Sequence, residues 1–410
     1  MDVSHLSKCE TCFDSFWVTN GNKNVGCNNC ENSFNLWFCK NCTGCSDCVG
    51  CVGLRKKNYH IFNEPYSRED YLSKLKELNF GSRKDYDKLK EKAQKFWLEF
   101  PNKFIEGLQN SRVSGNYIDH SKDVGNSFLV REGEHLKFCQ YLQELPGCKD
   151  CYDWSIWGDN GQIMYECHAS GIGTQNVKFS LFAQENAHDI EYCVACTGSS
   201  YCFGCVGLRK KQYCIFNKQY TKEEYEELVL KIKKHMDEMP YTDKTGVVYR
   251  YGEFFPIEIS PVGYNESMAQ EYFPMDRNDA LAKGYKWHDA ADRNYKPTIE
   301  AKDLPDDIKN VDDSITKEVI ACAHDKINCK HLCVSAFRIT QDELNFYKKV
   351  GLPLPHLCHN CRTFERLAQR TGLQLYVRKC DKCGKGIETS YAPERPEIVY
   401  CEQCYQQEVA

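Results

Sequence analysis

Cysteine occupies every third position of the stretch Cys39-Lys-Asn-Cys-Thr-Gly-Cys-Ser-Asp-Cys-Val-Gly-Cys51, with mostly small or polar residues between the thiols. A three-residue period matches neither a strand, whose side chains alternate, nor an α-helix. One interpretation is a β-solenoid-like unit in which every third side chain points inward and cysteine fills the narrow interior. The other is a multi-thiolate metal or iron–sulfur site, because Cys-x2-Cys lets two sulfur atoms converge on one ion.

The pattern occurs twice along the chain. A shift of 154 positions aligns Cys48–Asn63 with Cys202–Asn217 without a gap. The second copy has Ser199 where the first has cysteine, a change that a packed interior tolerates better than a metal site does, so we favour the packed interior. Each copy continues into a short strand and then a helix, with N-caps expected at Ser67 and Thr221. We therefore predict two duplicated cysteine-rich units, each closed by a strand-turn-helix.

Composition places the chain in a reducing compartment. The 410 residues include 27 cysteines and carry a net charge of −5. No apolar run is long enough for a signal peptide or a membrane helix, so we expect a cytoplasmic protein without membrane contact. In a reducing cytosol, so many thiols are expected as metal ligands or buried side chains rather than as disulfides.

Two cysteine pairs near the C-terminus predict a structural zinc ion. Cys380-x2-Cys383 and Cys401-x2-Cys404 are separated by 17 residues, a spacing that brings both pairs onto one tetrahedral ion. Four thiolates leave no open position for a substrate, which argues against a catalytic metal. The run that ends Arg-Pro-Glu-Ile-Val-Tyr before Cys401 resembles the small zinc ribbons.

A second zinc site is predicted upstream. Residues 333–362 contain, in order, a cysteine, a phenylalanine four positions on, a capped helix ending Phe-Tyr, and Pro-x2-Cys-x2-Cys-Arg. This arrangement resembles the probable zinc-binding domain family and implies ligands at Cys333, Cys358 and Cys361. It departs from that family at Lys330, where the first cysteine is expected, so Cys329 becomes the predicted fourth ligand. The alternatives for that position are Cys322, His324 and His331.

Further cysteine pairs are candidate metal ligands in the duplicated units. They are Cys9 and Cys12, Cys27 and Cys30, and Cys148 and Cys151. The first and last pairs are also candidate thiol-redox motifs, although neither lies in a βαβ pattern. We expect about two zinc ions in all, with an iron–sulfur cluster as the alternative occupant of the cysteine arrays.

Nearly the whole chain resembles a group of uncharacterised cysteine-rich zinc-ribbon proteins from candidate-phylum, ultra-small bacteria. The shared features are the Gly-Leu-Arg-x-Lys-x-Tyr-x-Ile-Phe-Asn repeats, the segments 263–266 and 269–274, and the zinc pairs. The resemblance supports the architecture and implies no activity. We also find no phosphate loop, dinucleotide fingerprint, zinc-protease helix or nucleophile elbow, and no small-molecule substrate is evident.

One feature favours nucleic acid as a partner. Arg362, Arg366 and Arg370 are spaced four residues apart on a predicted helix, and Arg378 and Lys379 precede the next cysteine pair. Arginines with this spacing can meet successive phosphates. RNA is favoured over DNA because no groove-reading helix motif is present. Against this, the net charge is negative and Glu365 interrupts the basic edge.

These observations predict a multi-domain α+β protein with two duplicated β-solenoid-like units and two consecutive C-terminal zinc ribbons. The predicted function is that of a zinc-binding, non-enzymatic binding or scaffold protein, with RNA or a ribonucleoprotein as the leading partner. The alternatives are a protein–protein scaffold and a metal-cluster or thiol-redox protein. The predicted boundaries are 1–80 and 139–238 for the repeat units, 81–138 for a helical spacer, 239–313 for an α+β linker, 314–375 for a zinc-binding domain, and 376–410 for a zinc ribbon.

Overall fold

The computed structural model describes residues 2–289, 296–324, 329 and 331–409. It is a mixed α+β structure, and none of the helices described is both long and apolar enough to cross a lipid bilayer. Contacts divide the chain into two compact units. Unit 1 comprises Met1–Asn102, Ala290–Arg370 and Pro396–Ala410, and unit 2 comprises Lys103–Asp289 and Thr371–Arg395.

Short strands dominate the secondary structure. The strands are β1 (Val3–Ser7), β2 (Ser15–Thr19), β3 (Asn28–Glu31), β4 (Phe34–Trp37), β5 (Ser46–Val49), β6 (Asn58–Ile61), β7 (Glu64–Pro65), β8 (Asn102–Lys103), β9 (Gly107–Leu108), β10 (Ser111–Asp119), β11 (Lys122–Arg131), β12 (Glu134–Lys137), β13 (Gln140–Glu144), β14 (Lys149–Gly158), β15 (Gln162–Gly171), β16 (Gln175–Leu181), β17 (His188–Glu191), β18 (Ser200–Phe203), β19 (Gln212–Ile215), β20 (Lys218–Gln219), β21 (Tyr241–Thr242), β22 (Val248–Tyr249), β23 (Ile320–Ala321), β24 (Ala336–Phe337), β25 (Tyr376–Lys379), β26 (Gly386–Thr389) and β27 (Val399–Tyr400).

The α-helices are α1 (Arg68–Glu77), α2 (Arg83–Trp97), α3 (Lys222–Glu238), α4 (Ala269–Tyr272), α5 (Arg277–Ala282), α6 (Gln341–Val350), α7 (His359–Leu367) and α8 (Glu402–Val409). Short 3-10 helices cover Ile257–Ile259, Tyr264–Glu266, Ala301–Asp303, Ile308–Asn310 and Asp313–Lys317. The expected N-caps are confirmed at Ser67, whose side chain accepts from the Asp70 amide, and at Thr221, which forms a capping box with Glu224.

Residues 3–65 form the first strand stack. Its neighbouring strands pair in parallel, and the paired residues are twelve positions apart, as in Val3 with Ser15 and Ser46 with Asn58. The same offset continues between the strands, where the Glu10 amide donates to the Gly21 carbonyl. Only the final pair, β6 with β7, is antiparallel and ends the stack.

The backbone of this stack explains the three-residue cysteine period. Every third residue has a positive φ and directly precedes an inward residue, as Asn41 (φ 55°) precedes Cys42. Asparagine, aspartate and glycine tolerate this conformation best, so they occur before the cysteines. Side chains twelve positions apart reinforce the turns, since Asn29 Nδ2 donates to Asn41 Oδ1 at 2.9 Å.

The glycine of the Cys-x-Gly-Cys motif is required by the side chain stacked on it. Gly50 has φ 67°, and a Cβ there would lie 2.7 Å from the ring of Phe62, twelve residues later. Gly204 (φ 64°) stands in the same relation to Phe216, with a separation of 2.5 Å. The positive φ and the ring together exclude a side chain at both glycines.

The Ile-Phe-Asn sequence ends each stack through its asparagine. Asn63 Oδ1 accepts from the Val52 amide at 2.9 Å, and its Nδ2 donates to the Val52 carbonyl at 3.0 Å. Asn217 makes the equivalent bonds to Val206 at 2.8 and 2.9 Å. Each asparagine therefore supplies the pairing that a further strand would otherwise provide.

One apolar core joins the parts of unit 1. It combines outward side chains of the first strand stack with helix α2 and with the segment around α6. The Trp97 indole, at the end of α2, donates to the Phe38 carbonyl at 3.1 Å. Tyr347 of α6 meets Phe13 edge to face, with ring centroids 5.9 Å apart. The segment predicted as a separate zinc-binding domain thus shares its core with the first cysteine-rich stretch.

Unit 2 contains the second strand stack, residues 107–219. Its strands β9 to β19 pair in parallel, with a register of thirteen residues between β14 and β15 and twelve between β18 and β19, and antiparallel β20 ends the stack. Trp154, fully buried, and a series of cysteines form its core. The hairpin β25–β26 also belongs to unit 2, where the Thr389 hydroxyl donates to the Phe104 carbonyl at 2.7 Å.

Candidate metal centre

Four cysteines of unit 1 come together from three parts of the chain. Antiparallel pairing of β23 with β24 places Cys322 near Cys333, since Ala321 pairs with Ala336. The other two, Cys358 and Cys361, lie at the N-cap and in the first turn of α7. The Cys358 amide donates to the Cys322 sulfur at 3.2 Å, which ties the helix to the strand pair.

The spacing of these sulfurs suits one tetrahedral ion. All four Sγ atoms lie within 4.8 Å of one another. The Cys322–Cys361 and Cys358–Cys333 sulfur separations are both 3.9 Å. With zinc–sulfur bonds of about 2.3 Å, a tetrahedron has sulfur–sulfur edges of about 3.8 Å. The four thiols therefore need little movement to hold zinc, and all but Cys322 are buried.

The thiols also influence one another's ionisation. A hydrogen bond from Cys322 lowers the pKa of Cys358 below its usual range, and the same hydrogen bond raises the pKa of Cys322. One sulfur of the group is thus favoured as thiolate, which is the form that binds metal.

A second group of candidate ligands overlaps the first. It consists of His324, Cys329, His331 and Cys361, again within 4.8 Å. Cys329 Sγ lies 3.6 Å from Cys361 Sγ and 3.5 Å from His324 Nδ1. In the four-sulfur group the fourth ligand is Cys322, whereas Cys329 lies near Cys361 in the group that contains the histidines. Cys329 as the fourth zinc ligand therefore stays a prediction.

The pair Cys380 and Cys383 belongs to unit 2, whereas Cys401 and Cys404 belong to unit 1, so the zinc ribbon expected from their spacing stays a prediction. Cys380 and Cys383 lie in the turn between β25 and β26. There the Cys380 amide donates to the Lys385 carbonyl at 2.8 Å, and the Gly384 amide donates to the Cys380 carbonyl at 2.9 Å. The left-handed Gly384 (φ 73°) permits this tight turn. Within unit 1, two overlapping groups of cysteine or cysteine and histidine residues could bind metal ions.

The cysteines of the strand stacks have a different environment. Their thiols donate to backbone carbonyls two positions before and, in the next turn, nine positions after. Cys39, for example, lies 3.4 Å from the Trp37 carbonyl and 3.5 Å from the Cys48 carbonyl. No group of candidate metal ligands found among the described residues includes the candidate pairs of the stacks. Those pairs are Cys9 and Cys12, Cys27 and Cys30, and Cys148 and Cys151.

Burial keeps several stack thiols protonated at neutral pH, whereas hydrogen bonds from neighbouring thiols lower the pKa of Cys196 and Cys205 and outweigh burial at Cys30. Burial raises the pKa of Cys12 to about 11 and that of Cys148 to about 11. The pKa values of Cys139 and Cys167 rise to about 12 for the same reason. A thiol that resists ionisation is a poor nucleophile and a poor metal ligand.

Two of the three arginines predicted to form a basic edge are paired with acids inside unit 1. Arg362 lies 2.7 Å from the Asp2 carboxylate and donates to the Tyr347 hydroxyl at 3.0 Å, with its side chain 14% exposed. Arg366 is 4% exposed and lies 3.8 Å from Asp14. These side chains are not available to phosphate in this arrangement.

The remaining predicted basic residues are more dispersed. Helix α7 ends at Leu367, so Arg370 lies beyond it and is half-buried. Arg378 donates to the Ala392 carbonyl at 3.3 Å, and Lys379 is exposed. The structure therefore does not gather the five residues on one exposed face.

Two comparisons of the chain with known proteins found no match, and a third found solved structures. No family model matches the chain, and no curated protein matches it. One solved structure, of a protein assigned as an acetyltransferase from Desulfovibrio desulfuricans G20, shares 11% identity over 46% of this chain and 51% of its own, with a TM-score of 0.09. A similarity this low carries no argument about fold or function.

Proposed function

We propose that this chain is a zinc-stabilised, non-enzymatic scaffold protein. The observation that carries the proposal is the four-sulfur group of Cys322, Cys333, Cys358 and Cys361, whose spacing suits tetrahedral zinc. Four thiolates fill the coordination sphere and leave no position for substrate, so the ion has a structural role.

The position of the ligands supports this role. Cys358 and Cys361 begin α7, the helix that also carries Arg362 and Arg366 toward Asp2 and Asp14 of the first strand stack. Zinc at this centre would hold the N-terminus of α7 against β23 and β24. Structural zinc sites contribute on the order of 10 kcal/mol to the folding of small segments. The ion therefore orders the segment that completes the core of unit 1.

We interpret the strand stacks as solenoid-like units packed with thiols. Parallel pairing at a twelve-residue offset, left-handed turn residues and carbonyl-bonded thiols all support a dry interior without metal. The raised pKa values of Cys139 and Cys148 disfavour thiol-redox chemistry at these two positions. The pairs Cys380-x2-Cys383 and Cys401-x2-Cys404 are proposed as a zinc ribbon on their sequence spacing.

The ion pairs of α7 do not support an RNA role for this helix. An RNA role through α7 requires exposed arginines, and Arg362 and Arg366 are instead in ion pairs. RNA association remains a prediction that now depends on Arg370, Arg378 and Lys379. Salt-dependent RNA binding that is lost in Arg378→Ala/Lys379→Ala would favour it.

Hydrogen exchange with and without a zinc chelator tests the structural role. Zinc removal should increase exchange in β23, β24 and α7, while β14 and β15 of the second strand stack stay protected. Cys358→Ser should reproduce that pattern in buffer containing zinc. The neighbouring variant His359→Ala, at an exposed position of α7, is the control. Unchanged protection of α7 after zinc loss would contradict the proposal.

A further inference from the structure

The two overlapping ligand groups of unit 1 share one sulfur atom, that of Cys361. Its distance to Cys322 Sγ is 3.9 Å and its distance to Cys329 Sγ is 3.6 Å. Both values match the edge of about 3.8 Å expected between two sulfurs on one zinc. The Cys361 sulfur is therefore placed to act as a ligand shared by two tetrahedral ions.

The histidine side of this centre has the geometry of a metal site. Cys329 Sγ lies 3.5 Å from His324 Nδ1. With zinc–sulfur and zinc–nitrogen bonds of about 2.3 and 2.05 Å, a tetrahedral sulfur–nitrogen edge is about 3.5 Å. The observed separation is that of two ligands on one ion.

Two further observations point to a ligand on this side. His324 Nε2 lies 3.6 Å from the Glu365 carboxylate, so the ring presents Nδ1 to the centre while Nε2 faces an acid. A carboxylate behind a histidine is the usual support for a metal-binding imidazole. His331 Nδ1 is buried and has no hydrogen-bond partner among the described residues, although buried nitrogens are normally satisfied.

We propose that unit 1 holds two zinc ions joined by the Cys361 thiolate. One ion is bound by Cys322, Cys333, Cys358 and Cys361, and the other by His324, Cys329, His331 and Cys361. When the second ion binds, the Cys329 thiol loses its proton to solvent, and both histidines coordinate the ion as neutral imidazoles. The inference rests on the proposed structural zinc at Cys361 and extends it.

Metal content per chain tests the proposal on the full-length protein. We expect His324→Ala/His331→Ala to contain one zinc fewer than the wild type and to remain folded, because the four-sulfur site is intact. Cys361→Ser should contain two fewer, and His359→Ala should match the wild type. Wild type loaded with cadmium-113 should show two resonances coupled to each other through the shared sulfur, besides one uncoupled resonance from the proposed zinc ribbon.

Unchanged zinc in His324→Ala/His331→Ala would overturn the two-ion centre and leave a single zinc at Cys361. If Cys361→Ser does not fold, the histidine variant and the cadmium spectrum still decide the question. If the underlying structural zinc proposal were wrong, Cys322→Ser/Cys333→Ser would also retain all its metal. This result distinguishes its failure from failure of the two-ion proposal alone. A cadmium spectrum in which no two resonances are coupled would exclude the bridge.

Discussion

Arg362→Met tests whether the arginines of α7 stabilise unit 1 or bind phosphate. The Arg362 side chain is 14% exposed and lies 2.7 Å from Asp2, which is 16% exposed. Removing one partner of a fully buried ion pair costs about 3–5 kcal/mol, because the other charge stays desolvated. Partial exposure lets water screen Asp2, so we expect the free energy of unfolding to fall by about 2–3 kcal/mol.

Urea denaturation of the zinc-loaded protein measures this loss. Arg362→Met/Asp2→Asn should lose less stability than Arg362→Met, because the Asp2 carboxylate is then not left unpaired. The control Lys88→Met, at an exposed position of α2, should stay within about 0.5 kcal/mol of the wild type. An Arg362→Met variant that is as stable as the wild type but binds RNA more weakly would refute the structural role.

Three further predictions concern the strand stacks. Asn63→Ala should lower the free energy of unfolding of unit 1, measured in urea, by about 1–2 kcal/mol, because the hydrogen bonds to the Val52 backbone are lost. The control Asn58→Ala, at an exposed position, should have little effect. Thiol reagents followed by mass spectrometry should label Cys39 and Cys193 at least about 100-fold more slowly in the native protein than in urea, since both are buried, and rapid native labelling would contradict the packed interior. The free energy of unfolding of unit 2 should fall as pH rises above about 9, because unfolded thiols then ionise while Cys139 and Cys167, with pKa values of about 12, stay protonated in the fold. The expected loss is about 1.5 kcal/mol for each of these two thiols at pH 10, and stability that does not change between pH 8 and pH 10 would refute the prediction.

The three-residue period predicts the environment of the stack cysteines because that information is local. Ser199 illustrates the reasoning. Its hydroxyl donates to the Thr197 carbonyl at 3.2 Å, just as the Cys45 thiol donates to the Thr43 carbonyl at 3.5 Å. A hydroxyl thus takes over the hydrogen bond of a thiol, which explains why serine is tolerated at a position where a metal site would lose a ligand.

The composition of the metal centre was harder to predict because it depends on contacts distant in sequence. Cys322 joins the group through the pairing of β23 with β24, and no local motif marks that pairing. Phe337, four residues after Cys333, was a sequence signal for this segment, and it pairs with Ile320 of β23.

The arginines of α7 illustrate the same limit for charge patterns. Their four-residue spacing resembles a basic edge, whereas Arg362 and Arg366 meet Asp2 and Asp14 at the other end of the chain. A charge pattern along one helix does not reveal which acids the fold brings to it.

Zinc content per chain of the anaerobically purified protein, measured with its visible spectrum and compared with Cys358→Ser, tests the central claim most directly. The account predicts zinc without iron, no visible absorbance, and a loss of zinc in Cys358→Ser. Iron with visible absorbance, or zinc content that Cys358→Ser leaves unchanged, would contradict it.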